Sequence, residues 1–241
     1  TGEMIALTKD EQIAVNDAYI KAAKENGIKV VASTGAYRTK DVIEMSVAAE
    51  KAGADGIMAV TPWYMAPNEQ ELFEHYKSVH DAVNVPVMVY HNPYYSTCLM
   101  SDEFMAKLYN EGAIDAVKER QADVYRQQDL RRLTDDNFGL FYGYDVCPVE
   151  TLTCWTDGWV CGTGNLFPKE NVTVYNLAHA KKTAEAMKAQ ETEIWPYLHL
   201  FSKPDKNGDI LWLQIIKEGL KMRGIDAGYC RKPVISALPE D

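Results

Sequence analysis

The sequence lacks the features that mark several large protein classes. Its 241 residues hold five cysteines, an odd number with no CxxC pair, which disfavours both a disulfide framework and a structural zinc site. No apolar run approaches the roughly 18 residues that cross a bilayer. The first residues, Thr-Gly-Glu, lack the basic and then apolar stretch of a secretion signal. These absences predict a cytoplasmic protein that does not act at a membrane.

Positive charge is also scarce. The chain has 25 Lys and Arg residues against 35 Asp and Glu residues, a formal net charge of −10. An acidic surface does not attract a phosphate backbone, so nucleic acid is not an expected partner. No GxGxxG or Walker pattern is present, which disfavours a nucleotide cofactor. With 46% hydrophobic and 25% charged residues, the composition is that of an ordinary globular protein.

Six short apolar segments rich in β-branched residues recur along the chain, and each is a predicted strand. Their ends are spaced by roughly 19 to 29 residues, close to the length of one βα unit. The segments are 29–34, 56–61, 85–90, 114–118, 139–142 and 158–161.

Helical patterns separate these segments. Residues 40–52 repeat apolar side chains at helical spacing, and residues 68–83 begin with the capping residue Asn68. Gly53 and Gly112 stand where helices are expected to end. After the last strand, helices are predicted over roughly 170–190, 193–201 and 208–223, with no strand pattern between them.

Strands that are apolar on both faces and alternate with helices predict a parallel sheet. The alternatives are a closed (β/α)8 TIM barrel and an open doubly wound sheet, and the missing nucleotide motifs favour the barrel. Because a barrel needs eight strands and six are visible, we expect the first strands to lie before Thr1. The predicted division is a barrel portion over 1–167 and a C-terminal helical extension over 168–241.

Chemically unusual residues lie at the ends of three predicted strands, where barrel enzymes carry their function. Lys118 ends the strand Ile-Asp-Ala-Val-Lys. A desolvated lysine has a lowered pKa, and its neutral amine can attack a carbonyl carbon to form a Schiff base. The alternative is that the strand has already ended and Lys118 pairs with Glu119 in a solvated turn.

Tyr90 ends a second strand and could move protons beside an imine, with His91 orienting it. Alternatively, Tyr90 is a capping aromatic whose hydroxyl bonds to backbone. The aromatic loop Thr61–Tyr64 follows a third strand and could line a pocket or an interface.

The end of the last strand leaves two alternatives open. The turn from Gly162 to Asn165 could present backbone amides to an anion, or it is a plain tight turn. Cys161 could be a nucleophile, but no base is assigned to it, and a small buried side chain fits it as well.

Taken together, these stretches resemble the dihydrodipicolinate synthase / N-acetylneuraminate lyase family. The order and spacing agree across nearly the whole chain. The matching pieces are Thr1-Gly2-Glu3, Thr34-Gly35, Ala52-Gly53-Ala54-Asp55-Gly56, Val60-Thr61-Pro62-Trp63-Tyr64, Tyr90-His91-Asn92-Pro93, Val117-Lys118-Glu119, Gly143-Tyr144-Asp145 and the turn from Gly158 to Asn165.

The resemblance implies a (β/α)8 barrel with C-terminal helices, usually assembled as a homotetramer, a dimer of dimers. It implies that Lys118 forms the Schiff base, that Tyr90 relays protons and that Tyr64 reaches into a neighbouring subunit's site. No metal and no organic cofactor are implied.

The resemblance also implies residues that bind the small-molecule substrate, a 2-oxo acid. Thr1 and Gly2 belong to the loop that holds its carboxylate, and Val160 lines the pocket through its carbonyl group. Gly143 and Tyr95 complete this predicted set.

Tyr95 departs from the family pattern. Dihydrodipicolinate synthases usually place an arginine there, and without that cation a second substrate carboxylate has no obvious anchor. We therefore expect a Schiff-base-forming lyase of the aldolase, hydratase-aldolase or dehydratase type that acts on pyruvate or a longer 2-oxo acid. The alternatives are dihydrodipicolinate synthase itself and a non-catalytic 2-oxo acid-binding member of the family.

Overall fold

The computed structural model describes residues 2–204 and 210–234. Within these ranges the strands and helices alternate as predicted up to the sixth strand. The strands are β1 (Val31–Ser33), β2 (Gly56–Val60), β3 (Val87–His91), β4 (Ala116–Glu119), β5 (Gly139–Tyr142) and β6 (Gly158–Trp159). The helices between them are α1 (Lys9–Glu25), α2 (Thr39–Ala52), α3 (Glu69–His80), α4 (Pro93–Ser96), α5 (Asp102–Asn110), α6 (Val124–Leu133) and α7 (Pro148–Leu152).

The strands form one parallel sheet in the order β1-β2-β3-β4-β5-β6. Each strand pairs with the next in the chain, from Val31 opposite Gly56 to Tyr142 opposite Trp159. The predicted parallel α/β class is therefore confirmed. Closure into an eight-stranded barrel and the position of further strands stay predictions.

Local sequence signals set the helix ends. Asn68 caps α3 through a reciprocal capping box with Glu71, as its position in the sequence predicts. Gly53 ends α2 with a φ of 97°, a left-handed conformation that glycine adopts without steric cost. Thr8 and Glu11 form a second capping box at the start of α1.

The regular structure that follows β6 in the described residues is helical. They are α8 (Pro168–His179), α9 (Thr183–Ala189), a π-helical turn (Gln190–Ile194), α10 (Trp195–Ser202) and α11 (Trp212–Met222), and short 3-10 turns occupy Met4–Ala6 and Thr163–Asn165. The single helix predicted over 170–190 is wrong, because Lys181 adopts a left-handed φ of 60° and breaks it after α8. The predicted start of the last helix at Gly208 lies outside the described residues.

The two faces of the sheet have different surroundings. Residues that pair in register share a face, and successive residues alternate between faces. One face packs against the helices and forms the hydrophobic core with side chains such as Ile57, Val89, Val117 and Leu140, each fully buried. The other face carries half-buried side chains, among them Phe141.

The described chain groups into two compact units. One consists of Leu7–Gly143 and Cys154–Val160 and contains the whole sheet, and the other consists of the described residues among 2–6, 144–153 and 161–234. Both units are discontinuous in sequence. The predicted division places the barrel portion in 1–167 and the helical extension in 168–241. It does not concern compact units, and it stays a prediction.

Among the described residues, no helix combines the length and the apolar character needed to cross a bilayer.

Candidate active site

The half-buried face of the sheet brings Lys118 and Tyr90 together. Tyr90 on β3 lies opposite Lys118 on β4 in the strand register, so both side chains point to the same side. The Nζ atom of Lys118 lies 3.8 Å from the centroid of the Tyr90 ring. A cation over an aromatic face at this distance is an attractive pair.

Gly143 makes room for the lysine. It follows β5, and its amide donates to the carbonyl of Glu119 at 2.7 Å. A Cβ atom added to Gly143 would lie 2.6 Å from Cγ of Lys118 and 3.1 Å from its Cε. The glycine therefore lets the lysine side chain extend along this face. Val160 falls on the same side, two residues beyond Gly158, and its amide donates to the carbonyl of Tyr142 at 2.8 Å.

The opposite face carries a buried charged cluster directly behind this pair. His91 and Glu119 follow Tyr90 and Lys118 in the sequence and are both fully buried. Their side chains are 2.6 Å apart, from Nδ1 to Oε2. Arg126 on α6 donates its Nε to the same Glu119 oxygen at 2.8 Å and pairs with Asp102. Nε2 of His91 accepts from the amide of Met100 at 3.2 Å.

Electrostatics within this cluster favour the ionised Glu119. Burial by itself raises the pKa of this carboxyl group. The hydrogen bonds from His91 and Arg126, together with the positive charge of Arg126, outweigh burial and hold the pKa below its usual value. The alternative in which Lys118 pairs with Glu119 in a solvated turn is wrong, because β4 continues through Glu119 and buries it on the other face.

Tyr64 and Tyr95 lie on the surface of the single chain. Tyr64 is 90% exposed in the loop after β2 and holds a left-handed φ of 75°, an unfavourable conformation that proteins tend to keep at functional positions. Tyr95 is 71% exposed in α4, and its ring meets that of Tyr94 edge-on at 5.0 Å. Their roles at a site stay predictions.

Two of the substrate-loop residues fall at the first positions of the chain. Thr1 lies outside the described residues. Gly2 is described and exposed, and its role in binding a carboxylate stays a prediction.

The backbone amides of the turn after β6 contact a side chain of this protein and not a separate anion. The amides of Gly162 and Thr163 donate to the two carboxylate oxygens of Asp145, at 3.1 and 2.9 Å. Burial and the charge of Asp145 raise the pKa of Cys161 to about 11. The turn thus binds a carboxylate of its own chain, and the Cys161 thiol stays protonated at neutral pH, as expected of a packing residue.

Asn92 and Glu119 stand in the motifs quoted from the sequence without a role in the site assigned to them, and Arg126 stands in none of those motifs. Asn92 is 2% exposed and donates its Nδ2 to the hydroxyl of Tyr90 at 3.0 Å. Its place directly after a strand end was the one available signal. Arg126 lies seven residues after Glu119 and 24 residues after Asp102, and neither spacing matches a pattern considered in the sequence. Among the described residues, no group of three or more His, Cys, Asp or Glu side chains could hold a metal ion.

Comparison with known proteins decides the family. A sequence model of the dihydrodipicolinate synthetase family matches residues 1–240. The chain belongs to this family. Its membership confirms the predicted assignment as an enzyme, a lyase of the class I aldolase type.

Related sequences and solved structures carry the names of members of the same family. The chain is 28% identical to a 4-hydroxy-tetrahydrodipicolinate synthase of Nitrobacter hamburgensis, over 99% of this chain and 78% of that protein. It is 31% identical to a synthase of the same name from Ruthia magnifica, over 85% and 69%. The dihydrodipicolinate synthase of Aquifex aeolicus superposes with a TM-score of 0.90 at 25% identity, covering 99% of this chain and 79% of that one. A putative family member from Pseudomonas aeruginosa gives the same TM-score at 27% identity, with 99% and 80% covered.

Proposed function

We propose that this chain is a Schiff-base-forming lyase that acts on pyruvate or a longer 2-oxo acid through Lys118. One observation carries the proposal: Nζ of Lys118 lies 3.8 Å from the Tyr90 ring centroid, on the neighbouring strand. An amine nucleophile and a phenolic proton carrier therefore share one small region at the carboxyl ends of parallel strands, where enzymes of this architecture work.

The proposed first step joins the lysine to the substrate. The Nζ nitrogen bonds to the C2 carbonyl carbon of the 2-oxo acid, and the carbonyl oxygen leaves as water with two protons from the ammonium group. The product is an iminium ion that keeps the positive charge. This charge draws electrons from the neighbouring carbon, so a proton, a carbon–carbon bond or a leaving group there can be lost or gained.

Tyr90 is the proposed proton carrier for these steps. Its hydroxyl can take a proton from the substrate and return it, as general acid–base catalysis requires. We assign Tyr64 a supporting role from a neighbouring subunit. Thr1 and Gly2 are proposed to hold the substrate carboxylate, while Gly143, Val160 and Tyr95 line the pocket. The reaction as proposed uses no metal and no organic cofactor.

The names of the relatives favour a second candidate, 4-hydroxy-tetrahydrodipicolinate synthase. Tyr95 weighs against it, because a tyrosine cannot pair with a second substrate carboxylate as an arginine does. A third candidate is a non-catalytic 2-oxo acid-binding protein. The proximity of Lys118 and Tyr90 weighs against that one, since simple binding requires neither an amine nucleophile nor a proton carrier.

We further propose that the chain forms a homo-oligomer, a dimer of dimers, and works in the cytoplasm. The exposed aromatic rings of Tyr64, Tyr94 and Tyr95 support an interface, since large side chains of this kind exposed to solvent favour association. We also propose that the six parallel strands belong to a (β/α)8 barrel. Their sequential order is the order of such a barrel, which needs two strands more than the described residues form.

Intact-mass spectrometry after borohydride reduction in the presence of pyruvate tests the proposed chemistry. We expect one covalent adduct per chain, located on the peptide that contains Lys118. The Lys118→Ala variant is expected to form none, whereas Lys40→Ala, which removes an exposed lysine of α2, keeps the full adduct. An adduct that persists in Lys118→Ala overturns the assignment. Binding of pyruvate that remains reversible after reduction favours the non-catalytic candidate.

A further inference from the structure

We infer that Asn92 is a positioning residue that adjusts the proton affinity of the Tyr90 hydroxyl. This inference rests on the proposed function of Tyr90 as proton carrier. The Nδ2 group of Asn92 donates to the hydroxyl oxygen at 3.0 Å, and the amide is 98% buried. A donor at this oxygen stabilises the phenolate more than the phenol. It also turns the hydroxyl hydrogen away from the amide.

The backbone holds Asn92 firmly in place. Its carbonyl oxygen accepts from the amides of Tyr95 and Ser96, at 3.1 and 3.0 Å, and from the Ser96 hydroxyl at 2.9 Å. Three hydrogen bonds to one carbonyl fix the position from which the side chain reaches Tyr90. The backbone position of Asn92 is therefore built into the first turn of α4.

A comparison with Asn68 separates this role from ordinary helix capping. Both asparagines precede the first residue of a helix. The side chain of Asn68 accepts from the Glu71 amide and caps α3, whereas the side chain of Asn92 makes no capping hydrogen bond to α4. Asn92 instead uses its amide on Tyr90. Its buried Oδ1 has no hydrogen-bond partner among the described residues, a costly arrangement that stability alone does not favour.

Other charged and titratable groups surround Tyr90. The ammonium group of Lys118, over the ring, also favours the phenolate. His91 and Glu119 sit on the opposite face of the sheet and bond to each other. On the α4 side, the guanidinium group of Arg120 lies 5.3 Å from the Tyr94 ring. The side-chain amide of Asn92 donates directly to the hydroxyl oxygen of Tyr90.

The decisive variant is Asn92→Asp, which keeps the shape of the side chain but replaces the donor with a carboxylate oxygen. We expect the pKa of Tyr90 to rise by about one unit or more. NMR of ring-labelled tyrosine in the protein without substrate measures this directly, and the signal lost in Tyr90→Phe identifies Tyr90. Asn92→Ala, which removes the donor without adding charge, is expected to give a smaller rise.

A second readout follows the reaction step itself. In D2O, exchange of the methyl hydrogens of pyruvate reports proton transfer at the carbon next to the iminium group. We expect the Asn92→Asp variant to exchange about tenfold more slowly at neutral pH, with its pH profile moved to higher pH. Adduct formation after borohydride reduction should stay within about twofold of the wild type, because Lys118 is unchanged.

Asn16→Asp is the matched control. Asn16 also donates one amide hydrogen bond, to the carbonyl of Ser33 at 2.9 Å, and its replacement should leave the Tyr90 titration and the exchange profile unchanged. An unchanged or lowered Tyr90 pKa in both Asn92 variants overturns the inference. Absence of any pyruvate adduct in the wild type overturns the proposed function instead, and the titration still decides whether Asn92 acts on Tyr90.

Discussion

The two faces of the sheet use neighbouring residues for opposite purposes. Tyr90 and Lys118 point to the half-buried face, where the lysine nitrogen lies against the tyrosine ring. His91 and Glu119, each the next residue in the chain, point into the helix-covered face and join Arg126 in a buried hydrogen-bonded cluster. Because side chains alternate along a β-strand, the reactive groups lie on one face of the sheet and the buried hydrogen-bonded cluster lies on the other.

The comparison shows how the strand register keeps Tyr90 and Lys118 on the reactive face. The His91–Glu119 contact joins β3 and β4 at the position next to Tyr90 and Lys118. A one-residue slip would carry Tyr90 and Lys118 into the helix-covered core and the His91–Glu119 pair out of it. The buried pair therefore resists the slip that would destroy the reactive pair. Substitutions on the two faces should have separable effects, on reaction rate for one face and on stability for the other.

The largest expected effect lies on the reactive face. Tyr90→Phe removes the hydroxyl but keeps the ring beneath Lys118. Loss of a general acid–base group should slow pyruvate hydrogen exchange by about 10²- to 10⁴-fold, while borohydride trapping continues. NMR exchange rates measure the change, with Tyr125→Phe, a 79% exposed tyrosine, as the control. Exchange at the wild-type rate would remove Tyr90 from the mechanism.

Substitutions on the helix-covered face should mainly change the stability of the protein. Glu119→Gln removes the buried carboxylate and leaves Arg126 without one of its two acidic partners. Breaking a buried ion pair costs about 3 kcal/mol of unfolding free energy. Urea unfolding measures this loss, with Glu111→Gln, an exposed position, as the control. A change of less than about 0.5 kcal/mol would show that the cluster does not stabilise the sheet.

Gly143→Ala tests whether the space beside Lys118 matters. The new Cβ atom would lie 2.6 Å from Cγ of the lysine and 3.0 Å from the Glu119 carbonyl oxygen, so the lysine must move. A displacement of this size can slow a reaction by up to about 100-fold. The rate of adduct formation with pyruvate measures the effect. The fold should persist, and an unchanged rate would mean that the lysine extends equally well along another path.

The smallest expected effect concerns His75, a buried histidine of α3. Burial lowers its pKa to about 4, so the folded protein disfavours the charged form. Because the folded pKa lies below the ordinary value of about 6.5, this contribution to stability is complete above that value and is lost as pH falls toward 4. Lowering the pH from 7 to 5 should cost about 2 kcal/mol.

Urea unfolding of the wild type and His75→Gln at both pH values isolates this contribution. The variant should lose less stability on acidification than the wild type, by about that amount. Equal losses in the two proteins would show that His75 does not titrate as its burial implies.

Much of the fold was predictable because it depends on local composition. The six apolar segments, the capping residue Asn68 and the stop at Gly53 are short-range signals, and each has its counterpart in the structure. The break after α8 was missed, because Lys181 takes a left-handed conformation that no glycine or asparagine marks. The solvated-turn alternative for Glu119 failed because its partner His91 lies on another strand, 28 residues away in the chain.

The sequence by itself determined the parallel α/β class, the family and the choice of Lys118 and Tyr90 as candidates, because strand periodicity and motif spacing are properties of the linear chain. Only the tertiary structure decided that Lys118 lies against the Tyr90 ring, that Gly143 leaves room for it and that Asn92 bonds to the tyrosine hydroxyl. These facts depend on strand register and on which face each residue takes. Register is fixed by long-range packing and by buried charge, neither of which is written in any short stretch of sequence.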